Sequence, residues 1–264
     1  MIRIAFSFGI SIMTLAYSIG HITGGHMNPG VSFLMFLRRQ MSGYKMICYW
    51  GAQLLGAVLG SSLMWGCVNN LAGEIKVDGT FQRPPFDLGA TVLDPTITIG
   101  NGFLLELMGS FFFFFVIAQT ALDKRGIAES FFPAIPIGFS LIIVHICLIP
   151  FTGCGVNPAR TFGPSMVVCM AGGDCAAVMQ PHYWIYYAGP LIAAWGVSEI
   201  TILMNYSWED EDSSKKSQAQ TIGQASKTPE NQALQILNES VNNGSLKHFA
   251  HPSEFTLPLE NDNV

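Results

Sequence analysis

Five long apolar stretches, near residues 2–23, 46–68, 97–121, 131–150 and 183–206, alternate with shorter polar connections along the chain. Each holds around 20 residues, the length a helix needs to cross roughly 30 Å of hydrocarbon at about 1.5 Å per residue. The first stretch does not read as a cleavable leader: it has one early arginine, Arg3, and no small-residue cleavage site. It runs instead into a helix start signal. Asn28-Pro29 combines an N-cap residue with a proline at the first helical turn, where the missing N–H is harmless. No residue from Ile4 to Leu37 carries a charge. The pattern therefore begins a new helix while the chain is still inside the membrane.

That stretch, "GGHMNPG" at Gly24–Gly30, has a twin in "TGCGVNPAR" at Thr152–Arg160. Both read Gly-x-x-x-Asn-Pro-small. Each follows a spanning stretch and precedes an apolar segment too short to span: "PGVSFLMFL" and "PARTFGPSMVVCM", about nine and about thirteen residues. The first follows a segment entering from outside, the second one entering from inside. Inverted repeats of this kind bring two half-helices together at the midplane of the bilayer. The chain is thus expected to fold back twice as re-entrant loops, which are tolerated at such depth only when buried in protein or lining a watery cavity. Gly24–Met27 and Thr152–Val156 would then present carbonyls to that cavity. Asn28 and Asn157 would each cap a half-helix through the side-chain oxygen and turn the amide NH₂ into the pore. Two positive helix N-termini make this centre unfavourable for cations and protons.

Composition agrees with a membrane body carrying a polar appendix. Half of the 264 residues are hydrophobic and 12 % are charged, with a mean hydropathy of +0.37. Beyond Ser207 lie nine acidic and four basic residues, which account for the whole formal charge of −5. Residues 1–206 are read as the transmembrane domain, with a first repeat over 1–68 and an inverted second repeat over 97–206. Residues 207–264 are read as a disordered acidic tail, too poor in apolar residues to fold alone. Leu234, Leu237 and Val241 could line a weak amphipathic helix there, and Asn238 and Asn243 begin glycosylation sequons that a cytoplasmic tail would never present. Arg38, Arg39 and Lys45 after the first stretch, and Lys124 and Arg125 after the third, place those connections and the tail in the cytoplasm.

Side-chain patterns add expectations about packing. Gly56, Gly60, Gly138, Gly189 and Gly196 read as sites of close helix approach. Phe111–Phe115 reads as lipid-facing bulk, and Tyr183, Trp184, Tyr186 and Tyr187 as an interfacial belt. Cys48, Cys147 and Cys154 read as buried small hydrophobes, while Cys169 and Cys175 flank a glycine-rich loop and are either free or paired outside the cell. His21 reads as a packing residue. No metal-ligand cluster, nucleophile elbow or phosphate-cradling loop stands out, so neither an enzyme, a cofactor nor a nucleic-acid partner is implied.

On "GHITGGHMNPG", "PFTGCGVNPARTFGP" and "HYWIYYAGP" the chain resembles the aquaporin (major intrinsic protein) family over nearly all of residues 1–206. The resemblance implies an all-α membrane fold, a right-handed helical bundle with two re-entrant half-helices, assembled as a tetramer with one water pore per subunit in the lipid bilayer. The pore motifs are Asn28, Pro29 and Gly30, and Asn157, Pro158 and Ala159. The family's selectivity filter maps onto Phe8, His145, Cys154 and Arg160, a set similar to the water-selective class, with Cys154 offering a thiol to the narrowest zone. Thr161 follows Arg160 where glycerol-conducting relatives have Asp. Glu106 implies a brace for the second loop, and His26 an orienting contact in the first.

Two departures stand out. Gly30 replaces the family's usual alanine, and a small packing loss with retained conduction is expected. Only five spanning segments are present where the resemblance implies six; the first family helix is missing, which points to a truncated sequence or a five-helix variant, with a groove in the wall and no counterpart to Glu106. The leading functional expectation is a passive water channel, plausibly of the plasma membrane. Its alternatives are a non-conducting assembly or adhesion subunit, a channel for glycerol-like solutes, and a secondary transporter using Glu106.

Overall fold

A computed structural model of the chain describes residues 1–71, 75–77, 80–82, 88–123, 132–225 and 239. Among the described residues eight helices follow in order: α1 (Ile2–Thr23), α2 (Pro29–Leu37), α3 (Gly43–Leu71), α4 (Ile99–Ile117), α5 (Ala134–Thr152), α6 (Pro158–Met170), α7 (Cys175–Val178) and α8 (Ile185–Ala225). A π-helical turn, Ala118–Leu122, continues α4. Between α3 and α4 a small antiparallel ribbon pairs β1 (Ile75–Val77) with β2 (Thr80–Gln82), Lys76 opposite Phe81. These strands of three residues lie in a connection and leave the architecture all-helical.

Among the described residues five helices are long and apolar enough to cross a membrane: Ile2–Thr23, Gly43–Cys67, Ile99–Leu122, Ala134–Thr152 and Ile185–Met204. The protein is an integral, multi-pass membrane protein. Large apolar side chains that would be costly in water, such as Leu55, Leu59 and Leu63 on α3, stand exposed around the bundle. Local chemistry sets the helix starts. Ser42 receives the Lys45 N–H and Thr98 the Asn101 N–H, so α3 begins earlier and α4 slightly later than hydropathy alone predicts.

The bundle is organised by inverted pairs. α1 packs on α5, and α3 on α6. At the first crossing Gly9 and Gly138 face each other so closely that a Cβ on either would fall 2.5 or 2.7 Å from the other's carbonyl oxygen. At the second, Gly163 lies against the Ala57 backbone at 2.6 Å from where its Cβ would be. Gly189 similarly admits the α4 backbone at Glu106 and Leu107. Gly56 and Gly60, expected to mediate close approach, have nothing within 4 Å, because α3 meets α6 through the neighbouring Ala57 face. Gly196 makes only ordinary contact, with the Phe111 ring.

The main core gathers Val31, Leu34 and Met35 of α2, Phe113 and Phe114 of α4, and Leu141, Val144 and Leu148 of α5, with Ala193, Ala194 and Val197 of α8. The phenylalanine run is therefore split by helical geometry: Phe112 is exposed while Phe113 and Phe114 are buried. Trp184 is exposed, but Tyr183 and Tyr186 turn inward, donating to the carbonyls of Thr161 and Thr152. Their hydroxyls find stronger use on the second loop than at a lipid headgroup. Cys48 and Cys147 are exposed on the bundle's outside rather than buried, since an apolar cysteine is equally at home facing lipid. Cys169 and Cys175 form a disulfide. His21 is exposed.

The chain divides into two units, Met1–Met204 and Asn205–Val264. In the second, helix continues to Ala225, into the segment for which disorder is expected. Its sequence spaces Glu211 and Asp212 four residues ahead of Lys215 and Lys216, the order that supports a helix. Leu234, Leu237 and Val241, and the sequon asparagines Asn238 and Asn243, fall outside the described residues.

Candidate functional site: a pore between two half-helices

The two loops repeat one another's backbone turns at an offset of 129 residues. Gly24 and Gly153 end α1 and α5 in the left-handed region, φ 78° and 72°, where the missing Cβ removes the penalty. Gly25 and Cys154 follow at 61° and 58°, and Met27 and Val156 at 45° and 54°. Thr23 and Thr152 make matching contacts as acceptors, each hydroxyl taking the N–H two residues on, Gly25 and Cys154; the Thr23 proton goes one turn back to Ile19, whereas the single Thr152 proton goes to Glu106. The half-helices start as expected, at Pro29 and Pro158, with nine and thirteen residues.

Asn28 and Asn157 join the two loops. The Asn28 Oδ1 accepts from the Gly30 N–H at 2.8 Å, and the Asn157 Oδ1 from the N–H groups of Ala159 and Arg160 at 3.0 and 3.3 Å. Their amides cross over. Asn28 Nδ2 donates to the Val156 carbonyl at 3.1 Å, and Asn157 Nδ2 to the Met27 carbonyl at 2.9 Å. Each amide thus spends one N–H on the opposite loop, where the sequence suggests that both face the pore. This exchange brings the N-termini of α2 and α6 tip to tip.

Non-glycine residues in left-handed backbone cost about 1–2 kcal/mol each, so Cys154 and Val156 need support. Glu106, wholly buried on α4, supplies it. Its Oε1 accepts from the Thr152 hydroxyl at 2.6 Å and the Gly155 N–H at 2.8 Å; its Oε2 accepts from the Val156 N–H at 2.7 Å. In the first loop His26 Nδ1 lies 3.1 Å from the Ser32 hydroxyl, its ring 5.2 Å from that of Tyr49. Gln53 also donates to Ser32, and Trp50 to the Pro29 carbonyl, so α3 steadies this loop from the side.

Three of the four predicted filter residues come together. The Phe8 and His145 rings stack at 4.4 Å, and the Arg160 guanidinium lies 5.0 Å from the Phe8 ring centroid. Arg160 is aimed by carbonyls, donating from Nη1 to Gly89 at 2.6 Å and from Nη2 to Gly153 at 3.4 Å. His145 Nδ1 lies 2.9 Å from the Leu141 carbonyl, which can only accept, so Nδ1 carries a proton. Its Nε2 has no partner among the described residues. Cys154 departs from its expected place: it is fully buried in the main core and is not among the residues that line the cavity.

A cavity of about 160 Å³ connects these groups, lined by Phe8, His145 and Arg160, by Asn28 and Asn157, and by apolar side chains such as Val31 and Phe113. Arg160 follows Asn157 on α6 and Val31 follows Asn28 on α2, so the Phe8–His145–Arg160 group and the apolar half lie on opposite sides of the paired asparagines. A second cavity of about 580 Å³ opens beside α3 and reaches Met27, Asn157 and Arg160 as well.

Sequence reasoning passes over Thr23 and Thr152, although aligning the repeats at their asparagines would have paired them. It passes over Gly89 too, and there no signal exists: a carbonyl acceptor leaves no mark on residue type.

The profile of the family described as "Major intrinsic protein" matches residues 1–198. Human aquaporin-4 is 36 % identical over 194 residues, covering 74 % of this chain and 53 % of its own length. Aquaporin-1 of Bos taurus is 34 % identical over 194 residues, covering 73 % and 63 %, and aquaporin PIP 1-3 of Oryza sativa subsp. japonica 34 % over 197, covering 72 % and 62 %. The chain therefore spans between about half and two thirds of these relatives. Among solved structures, the aquaglyceroporin from Plasmodium falciparum superposes with a TM-score of 0.65 at 19 % identity, over 75 % of this chain and 80 % of its own, a likeness of fold. Paired inverted loops, their crossed asparagines and a family profile matched over residues 1–198 lead to one conclusion: the chain belongs to the aquaporin, or major intrinsic protein, family.

Proposed function

We propose that the chain forms a passive water pore that moves single-file water along osmotic gradients and excludes protons and ions, without any chemical step. The observation that carries this reading is the cavity running past Phe8, His145 and Arg160 to the paired asparagines. An amide has two N–H donors. With one from each asparagine committed to the opposite loop, the second is left for a passing water oxygen. Two half-helix N-termini converge there, so the local field favours a water oxygen and opposes a cation. A water that accepts from both asparagines turns its own hydrogens away from the centre in both directions, which interrupts the proton wire. Arg160 adds a fixed positive charge beside the Phe8–His145 stack, and the unpartnered His145 Nε2 replaces part of the hydration shell.

The working assembly is a homotetramer in a lipid bilayer, its contacts drawn from the exposed apolar faces of α1 and α3. The Cys169–Cys175 disulfide suits an oxidising exterior. With the basic cluster Arg38–Arg39 inside, this supports a plasma-membrane protein with a cytoplasmic tail. The test is hyperosmotic shrinkage of proteoliposomes, read by light scattering, with sucrose and with glycerol as osmolyte. Fast, persistent shrinkage in both is expected; rapid reswelling in glycerol would move the chain to the solute-conducting class.

The cavity beside α3 favours a second reading, since it leads to Asn157 and Arg160 from the side. If that side stays open to lipid, the chain is a non-conducting assembly subunit. Shrinkage no faster than that of empty liposomes would establish this.

A further inference from the structure

Gly30 is the second residue of α2, and its N–H is the one that the Asn28 side chain caps. A methyl group added at Gly30 would lie 2.6 Å from Cζ and 3.0 Å from Cε2 of Phe114, and 3.2 Å from Oδ1 of Asn28. The ring has little room to give way. Phe114 is wholly buried in the main core, among Val31 and Leu34 and with the Phe113 ring 5.7 Å off. The glycine at this position therefore leaves no void: the space next to it is filled by a phenyl edge delivered from another helix. α4 then touches both loops, binding the second through the Glu106 carboxylate and abutting the first through the Phe114 ring.

We propose that Phe114 is a positioning residue for the pore, its ring standing against Gly30 as a steric stop that sets the tip of α2 and hence the Asn28 amide. Phe114 touches no permeant; it acts through Gly30 and the capped turn. The pair is size-matched, so that alanine at position 30 demands a smaller side chain at 114. This deepens the water-pore reading and rests on it for its functional half.

The experiment is a cycle on the full chain with Gly30→Ala, Phe114→Leu and the double variant. Two readouts are taken: the melting midpoint in detergent, and the ratio of water permeability to proton leak in liposomes. Gly30→Ala is expected to lower the midpoint by roughly 4–8 °C, as overpacking does in a chain of this size, and to cut water permeability several-fold. Phe114→Leu is expected to raise proton leak by freeing Asn28. The double variant should recover midpoint and permeability relative to Gly30→Ala. If Gly30→Ala yields no folded protein, recovery of folded protein in the double variant supports the pair and its failure refutes it. A Gly30→Ala protein equal to the parent in both readouts, or a double variant no better than Gly30→Ala, overturns the proposal. If the parent itself conducts no water, the channel reading fails, and the midpoints alone decide whether the two positions are coupled.

Discussion

At the scale of single residues, buried Glu106 and half-buried Arg160 have unlike tasks. Glu106 is an acceptor with three donors aimed at it, two of them backbone N–H groups of a strained loop. Replacing it with glutamine keeps the shape but sets an NH₂ against one of those donors. Glu106→Gln is expected to destabilise the protein by about 1–3 kcal/mol, the desolvation penalty of an unsatisfied buried group. Thermal melts in detergent and liposome shrinkage should both register the change; an unaltered melt would mean that the loop holds itself. Arg160 is held by carbonyls of Gly89 and Gly153, with its charge over the Phe8 ring. Arg160→Val should leave water flow near that of the parent while admitting protons and glycerol, measured by dye-loaded liposomes and glycerol reswelling. Unchanged selectivity would remove it from the filter.

At the scale of elements, each half-helix is started by an asparagine that also ties it to its twin. A serine retains the cap, because its hydroxyl reaches the first free N–H groups, but is too short to donate to the other loop. Asn157→Ser should therefore preserve helix content by circular dichroism while the tip-to-tip contact loosens and water permeability falls. The partner change Asn28→Ser should then add less than it does alone, since both bonds belong to one joint. Simple additivity in the double variant would argue against a shared joint. The half-helices themselves were readable in the sequence, start and length alike, because proline and asparagine act locally and an apolar run of nine or thirteen residues is visibly short. The close approaches were less readable: Gly138 and Gly189 were anticipated as contacts and Gly56 and Gly60 were misplaced, because spacing marks a smooth helix face but not the neighbour that meets it.

At the scale of the whole molecule, the two halves are inverted copies of one another, so it is the basic residues Arg38 and Arg39 that carry the proposed orientation. The disulfide lies at the far end of α6 from the paired asparagines, on the filter's side. A membrane-impermeant thiol reagent added to intact cells after mild reduction should label Cys169 and Cys175. Labelling only after permeabilisation would invert the proposed orientation. Loss of this crosslink, which closes a short loop, is expected to reduce stability by roughly 2 kcal/mol, read as a lower melting midpoint of the Cys169→Ser/Cys175→Ser variant. The outer faces of α1 and α3 are mostly exposed in the single chain, and native mass spectrometry of the purified protein should find tetramers as the dominant species if those faces are subunit contacts.

Periodicity, hydropathy and two copies of one short motif were enough to determine the class of protein: apolar spans of membrane length, two re-entrant half-helices of opposite sense and a buried carboxylate in need of donors. These follow from interactions within a few residues along the chain, or from the requirement that hydrocarbon leaves no backbone group unpaired. Only the folded molecule decided the rest. It turned one N–H of each asparagine onto the opposite loop, withdrew the Cys154 thiol from the cavity, aimed Arg160 by a distant carbonyl at Gly89, and filled the missing methyl of Gly30 with the ring of Phe114. The asparagine, Arg160 and Gly30 contacts join residues far apart in sequence through distances of a few ångströms, and residue type carries no record of which remote backbone or ring will occupy the neighbouring space.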